Sequence, residues 1–167
     1  MTTVRWLRRV LVRDLGTLAA QLDAYSDERD LWRAVPGVSN PGGTLVLHLA
    51  GNLRHFVGAQ LGGTGYVRDR DGEFGRRDVP RAELRDVVAA ARSEVDATLG
   101  RMDDSVLDRR YPLVVGGVSL STGQFLIHLA THFAYHLGQL DYHRRAATGG
   151  GAVAGMQAMA TLAPESA

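Results

Sequence analysis

Apolar side chains recur every three or four residues in four separate stretches of the chain, which is the repeat of an amphipathic α-helix. The predicted helices cover residues 4–25, 44–61, 80–102 and 121–147. Because their apolar stripes have to be buried against one another, the pattern predicts an all-α fold, a four-helix bundle. The residues that define the first three stripes are Leu7, Leu11, Leu15, Leu18, Leu22 and Tyr25; Val46, Leu49, Leu53 and Phe56; and Leu84, Val88, Ala91, Val95, Leu99 and Met102.

The connections between the predicted helices differ in length and composition. Residues 66–79 form a long, charged connection between the second and third helices, and connections of this length are often functional. Residues 111–120 place two short apolar runs on either side of two glycines, which predicts a small β-hairpin before the fourth helix. Ser121 and Gln124 then have the spacing of a capping box, which indicates where that helix begins.

The chain of 167 residues is long enough for one domain with a buried core. We predict that residues 1–147 form the helical bundle and that residues 148–167 form a C-terminal tail, either a short helix or disordered. No apolar run is long enough to span a membrane, and residues 1–22 lack the uninterrupted apolar core of a signal peptide. We therefore expect a cytoplasmic protein without membrane contact.

Composition excludes several kinds of chemistry. The chain has no cysteine, which rules out disulfides, thiolate metal ligands and cysteine nucleophiles. All 19 basic residues are arginine, which rules out lysine Schiff-base chemistry. The net charge is +1 and the arginines are dispersed among aspartates, so we predict no nucleic-acid partner. Any metal ligand that the protein supplies must be histidine or an oxygen donor.

Three of the six histidines, His128, His132 and His136, follow one another at intervals of four residues in the predicted fourth helix. Residues four apart lie on one helix face, where two imidazoles can bind the same ion. A third imidazole from the second helix, which carries His48 and His55, would leave one coordination position open, as in catalytic zinc sites. The spacing leaves open whether the pair is His128 and His132 or His132 and His136, and each histidine alone could instead be an ordinary core residue.

Two well-known metal motifs are excluded. A zincin has glutamate directly after the first histidine of its pair, whereas Leu129 and Phe133 occupy those positions here. A ferritin-like di-iron site has glutamate three residues before a histidine, and none of the five glutamates has that relation. The pattern therefore predicts a mononuclear, histidine-rich site for a divalent ion, with zinc or nickel expected.

Four segments carry a resemblance to a known family. The segments Leu47–Phe56 and His132–Arg145, together with Asn40–Thr44 and Arg68–Phe74, resemble the DinB/YfiT-like superfamily of metalloenzymes, and more closely a DinB-like branch of unknown function. The likeness extends over Leu7–Arg145. It implies a four-helix bundle, usually a homodimer, with a divalent metal ion held by three histidines.

By motif position, the resemblance assigns the metal ligands to His48 in the second helix and to His132 and His136 in the fourth. The His-x-x-x-His pair of the family directly precedes a Gly-Gln step, which is Gly138-Gln139 here.

Several other polar residues are candidates for supporting roles. Asn52 and Gln139 lie on the stripes that carry the ligands, where they could hold a metal-bound water, orient a ligand's second ring nitrogen, or form hydrogen bonds in the core. His55 and His143 are interpreted first as structural, and second as neighbours of the ligands. The remaining candidates for the surroundings of the site are His128, Tyr66, Arg68, Arg70 and Glu73.

Characterised relatives of this superfamily include bacillithiol transferases and mycothiol-dependent isomerases, which use small thiols. The resemblance therefore implies a metal-dependent S-transferase in which the metal binds the thiol and lowers its pKa, with arginines near the mouth pairing with the thiol's carboxylates. One alternative is a metal-dependent hydrolase, although the sequence places no carboxylate beside the histidines to act as a base. Another is a non-enzymatic, metal-binding, stress-related dimer.

Overall fold

The computed structural model describes residues 2–153 and 158–163, and these residues form helices joined by turns. The prediction of an all-α fold is confirmed. A π-helical turn, Arg54–Ala59, directly extends the second helix, and 3-10 turns form at Glu28–Trp32, Asp104–Val106 and Met159–Leu162. The α-helices are α1 (Thr3–Asp23), α2 (Gly42–Leu53), α3 (Arg70–Gly75), α4 (Arg81–Gly100) and α5 (Thr122–Thr148).

The apolar stripes predicted for the first and third helices form much of the core. They lie on α1 and α4, which pack against each other, while α5 packs against α1 and α2. The ends of the stripes, Leu7 and Met102, are partly buried. The fully buried stripe residues are Leu11, Leu15, Leu18, Leu22 and Tyr25 of α1 and its C-terminal turn, and Leu84, Val88, Ala91, Val95 and Leu99 of α4.

Helix α2 is buried on every side. All of its 12 residues are buried, and it contacts α3, α4 and α5. A helix that is apolar all round belongs in a protein interior. Its burial carries two polar side chains, His48 and Asn52, into the core.

The charged connection between residues 66 and 79, for which the sequence pattern predicts no helix, contains a short helix. This helix, α3, begins after Asp69, whose carboxylate accepts a hydrogen bond of 2.8 Å from the backbone N–H of Gly72. A single capped turn is too short to display the apolar repeat by which the longer helices were predicted. Because α3 packs on α2, the connection returns to the core.

The predicted β-hairpin is not confirmed, because the described residues contain no β-strand. Two isolated antiparallel bridges, Arg110 with Ser121 and Val115 with Val118, fold the segment back on itself. The two glycines between Val115 and Val118 have φ angles of 58° and 79°, as a tight turn requires. An isolated two-stranded ribbon is marginally stable, which explains why pairing stays limited to the bridges.

Helix α5 begins as the sequence predicts. The Ser121 hydroxyl accepts a hydrogen bond of 3.2 Å from the Gln124 N–H, and the Gln124 side chain accepts one of 2.9 Å from the Ser121 N–H. Gly149 ends the helix with a φ of 69°.

In the tail, Met159–Leu162 lies against α1, where Arg9 donates to the carbonyl of Leu162 over 3.2 Å. Residues 154–157 and 164–167 of the predicted tail lie outside the described residues. Of the helices that the structure describes, none combines the length and the apolar character needed to cross a membrane.

Candidate metal centre

Three histidines converge where α2 meets α5. His48 comes from α2, and His132 and His136 lie one turn apart on α5. Each offers one ring nitrogen, and these three atoms lie within 4.8 Å of one another. The Nε2 atoms of His48 and His132 are 3.4 Å apart. The structure thus brings together the three residues to which the resemblance assigned a metal ion.

The arrangement fits a divalent ion. Two nitrogens bound to one tetrahedral zinc at about 2.0–2.1 Å lie roughly 3.3 Å apart, close to the separation between His48 and His132. In His48 and His136, the second ring nitrogen has a hydrogen-bond acceptor. Nδ1 of His48 lies 3.1 Å from Glu73 Oε2, and Nδ1 of His136 lies 2.7 Å from Gln139 Oε1. A proton held on Nδ1 leaves the lone pair of Nε2 free for a metal.

Burial keeps two of these imidazoles neutral. It lowers the pKa of His132 to about 4, with a further contribution from the neighbouring His136 and His48. The pKa of His136 is lowered first by burial and then by His48, although the hydrogen bond to Gln139 opposes the shift. Only a neutral imidazole can donate its lone pair, so both rings are in the protonation state that metal binding requires near neutral pH.

A buried carboxylate lies beside His48. Glu73 is 5% exposed, and Arg68 holds it with two hydrogen bonds of 2.7 Å, from Nε to Oε1 and from Nη2 to Oε2. Burial by itself would raise the pKa of the Glu73 carboxyl, but the hydrogen bonds from Arg68 and His48 outweigh burial and lower it. Glu73 is therefore an anion that accepts a hydrogen bond from the Nδ1–H group of His48.

From the sequence, Glu73 and Arg68 are candidates for the surroundings of the site, and no carboxylate is predicted beside the histidines. In the structure, Glu73 contacts a histidine 25 positions earlier in the chain. Arg68, which was expected to meet a substrate's carboxylates, pairs with Glu73 instead. Gly51 gives one sequence signal for this contact, because a small residue within a buried helix marks a place where another chain segment approaches closely.

His128 and His55 lie outside the three-nitrogen cluster. His128 is exposed and stacks on Phe125, with ring centroids 5.8 Å apart and an interplanar angle of 19°. His55 is half-buried, and its Nδ1 has no hydrogen-bond partner among the described residues. Burial, and then the charge of Arg68, lower the pKa of His55. Of the two pairs left open by spacing, His132 and His136 are the ones that approach His48.

His143 occupies a separate polar cluster. Its Nε2 lies 2.9 Å from the carbonyl oxygen of Arg33, and its Nδ1 lies 2.8 Å from the Tyr25 hydroxyl. Donation from Nε2–H to the carbonyl leaves Nδ1 to accept from Tyr25, so both ring nitrogens have structural partners.

Asn52 is buried and lies one turn after His48 on helix α2.

Two cations stack on aromatic rings near the site. The Arg70 guanidinium lies 5.1 Å from the centroid of the Phe74 ring, and that of Arg54 lies 4.1 Å from the centroid of Tyr66. Arg70 is exposed, so its charge faces solvent at the edge of α3.

A cavity of about 390 Å³ adjoins the centre. It shares Gln139, the hydrogen-bond partner of His136, with the histidine cluster. Its lining carries no charged side chain and is mostly apolar with a few amide and hydroxyl groups, which is the usual composition of a small-molecule pocket. The lining residues are Gly37, Val38, Ser39, Asn40, Leu45, Gly138, Gln139 and Tyr142.

Comparison with known families identifies the group to which this fold and centre belong. A family model described as mycothiol S-transferase matches residues 6–149, which include all three converging histidines. No curated protein and no solved structure matches the chain significantly. The chain belongs to the mycothiol S-transferase family, a member of the DinB-like superfamily.

Proposed function

We propose that this chain is a metal-dependent S-transferase that joins a small thiol, mycothiol or a close analogue, to an electrophilic substrate. The observation that carries the proposal is the convergence of His48, His132 and His136 within 4.8 Å in a chain of the mycothiol S-transferase family. Zinc or nickel is the expected ion, because the ligand set consists of three imidazoles.

In this proposal His48, His132 and His136 hold the ion, while Glu73 and Gln139 orient His48 and His136. Three protein ligands leave a coordination position open. A divalent ion at this centre would supply the positive charge that lowers the pKa of a coordinated thiol.

The overall reaction forms a bond between the thiol sulfur and an electrophilic carbon. The thiol proton is released to solvent or a base, and the leaving group takes the electron pair of the bond that breaks. The uncharged cavity that shares Gln139 with the centre is the proposed place for part of the thiol or its acceptor. Arg70, the arginine of α3, faces solvent and is the proposed partner for an anionic group of either molecule.

Hydrolysis receives less support from the geometry. Metal-assisted hydrolysis requires a base beside the attacking water. The buried carboxylate of Glu73 is paired with Arg68 and lies at Nδ1 of His48, the ring nitrogen that faces away from the metal centre. Its lowered pKa also makes it a weak base.

We also propose that α1, α2, α4 and α5 constitute a four-helix bundle domain over residues 1–147 and that the protein is a cytoplasmic homodimer. The mutual packing of these helices supports the bundle. Sedimentation equilibrium tests the homodimer, which requires twice the mass of the single chain.

The proposal predicts thiol-dependent turnover that requires the metal. Protein loaded with one equivalent of zinc should consume mycothiol in the presence of an alkylating electrophile, and removal of the ion by a chelator should abolish this consumption. We expect readdition of zinc to restore the rate, which would separate metal dependence from irreversible damage. Equal turnover by chelated and zinc-loaded protein would contradict the proposal.

A further inference from the structure

Helix α3 delivers two side chains to the His48 ring. Glu73 Oε2 lies 3.1 Å from His48 Nδ1, and the Phe74 ring lies beside the imidazole with centroids 4.9 Å apart. The opposite nitrogen, Nε2, faces His132 over 3.4 Å. His48 is therefore held from the connection between α2 and α4 while its free nitrogen faces α5.

The Glu73 carboxylate is itself fixed before any ligand arrives. Arg68 donates to both of its oxygens over 2.7 Å, and the Arg68 guanidinium lies 5.5 Å from the centroid of the Phe56 ring. Asp69 caps the helix that carries Glu73. Paired, two-point hydrogen bonding of this kind sets the orientation of a carboxylate as well as its charge.

Gly51, three residues after His48 on α2, provides the space that Glu73 occupies. A Cβ atom at position 51 would lie 2.3 Å from Glu73 Oε1, which is too close for any real contact. The atom in conflict is the end of a side chain, so an alanine at this position would displace the carboxylate and leave the α2 backbone in place.

We propose that Glu73 is a positioning residue of the metal centre: it orients His48 for metal binding, and Arg68 and Gly51 keep its carboxylate in place. The inference rests on the proposed function, because it takes the three-histidine cluster as a metal site. A carboxylate that accepts a hydrogen bond from the N–H group opposite the metal-binding nitrogen of a histidine fixes both the tautomer and the direction of the ring.

The segment that carries Glu73 should respond to metal binding. If docking of α3 strengthens metal binding, then metal binding must strengthen docking of α3 by the same factor. The α2–α4 connection is thus expected to be more firmly docked in the metal-loaded protein than in the metal-free protein.

The first test measures zinc affinity by competition with a chromophoric chelator. Glu73→Ala should weaken binding by up to about 100-fold and Glu73→Gln, which keeps an acceptor oxygen, by about 10-fold. Gly51→Ala should weaken binding in the same range, although alanine favours a helix over glycine. The matched control is Glu83→Gln, which removes the negative charge of an exposed partner of Arg76 and should leave the affinity unchanged.

The second test measures hydrogen exchange of residues 66–79 with and without zinc. Zinc should slow exchange in the wild-type protein and in Glu83→Gln, and this effect should be lost in Glu73→Ala. A wild-type protein that binds zinc, together with a Glu73→Ala variant of equal affinity, would overturn the positioning role and leave the proposed function standing. A wild-type protein that binds no zinc or nickel would overturn both.

Discussion

His48→Ala, His132→Ala and His136→Ala should each lose the bound divalent ion, whereas His128→Ala should keep it. The first three residues supply the nitrogens that converge within 4.8 Å, so each substitution leaves two protein ligands. Because even the loss of a residue that only supports a ligand costs about 10–100-fold in metal affinity, the loss of a ligand should cost at least 100-fold. Elemental analysis after dialysis against equimolar zinc gives the stoichiometry, and about one ion per chain is expected for the wild type.

His128→Ala is a matched control for these variants. It removes the same side chain from the same helix, one turn before His132, but His128 is exposed and stacks on Phe125. Retention of the ion by His136→Ala together with its loss in His128→Ala would place the ligand pair at His128 and His132, contrary to the geometry. Circular dichroism of each variant checks that the helices remain folded.

The long helices could be predicted from the sequence because their own residues carry the signal. The stripe from Leu11 to Leu22 repeats over several turns, and the whole stripe is buried. The capping box of Ser121 and Gln124 is equally local, since its two hydrogen bonds join residues three positions apart. Periodicity and capping are properties of a single segment, so a single segment suffices to predict them.

The surroundings of the centre could not be predicted in the same way. Which histidines of α5 approach His48 depends on how α5 is rotated about its axis, and consecutive turns of one stripe can differ in exposure. Glu73 reaches His48 only because α3 folds back on α2, and one glutamate in a charged connection carries no repeat that would indicate this contact. Such information lies in the packing of helices against one another, which propensity and spacing do not encode.

Asp141→Ala should cause the largest loss of stability among the polar substitutions proposed for this protein. Asp141 is buried and accepts hydrogen bonds from Gln21 at 2.9 Å and from Arg144 at 3.0 Å, and it pairs with Arg145 at 2.7 Å. Arg144 is 3% exposed, so removing the carboxylate leaves a buried guanidinium without its counter-charge. Breaking one side of a buried pair lowers the free energy of unfolding by about 3–5 kcal/mol.

Acid should weaken the same network. Burial alone would raise the pKa of the Asp141 carboxyl, but the hydrogen bonds from Gln21, Arg144 and Arg145 outweigh it and lower the pKa. A carboxyl whose pKa is lower in the folded state adds stability above its unfolded pKa of about 3.9, and this contribution disappears as the pH falls through the folded value. The wild type should therefore lose more stability than Asp141→Ala as the pH falls below about 4.

Urea unfolding followed by circular dichroism measures the loss, and Asp23→Ala is the matched control. Asp23 also pairs with an arginine at 2.7 Å, but this pair with Arg85 is about half exposed, so its removal should cost only about 0–1 kcal/mol. Equal losses in the two variants would contradict the role of burial.

In Asp141→Ala the additional change Arg144→Met should recover part of the stability, because it removes the uncompensated charge. Because the network joins α1 to α5 without touching the histidine cluster, the folded fraction of Asp141→Ala should bind metal as the wild type does.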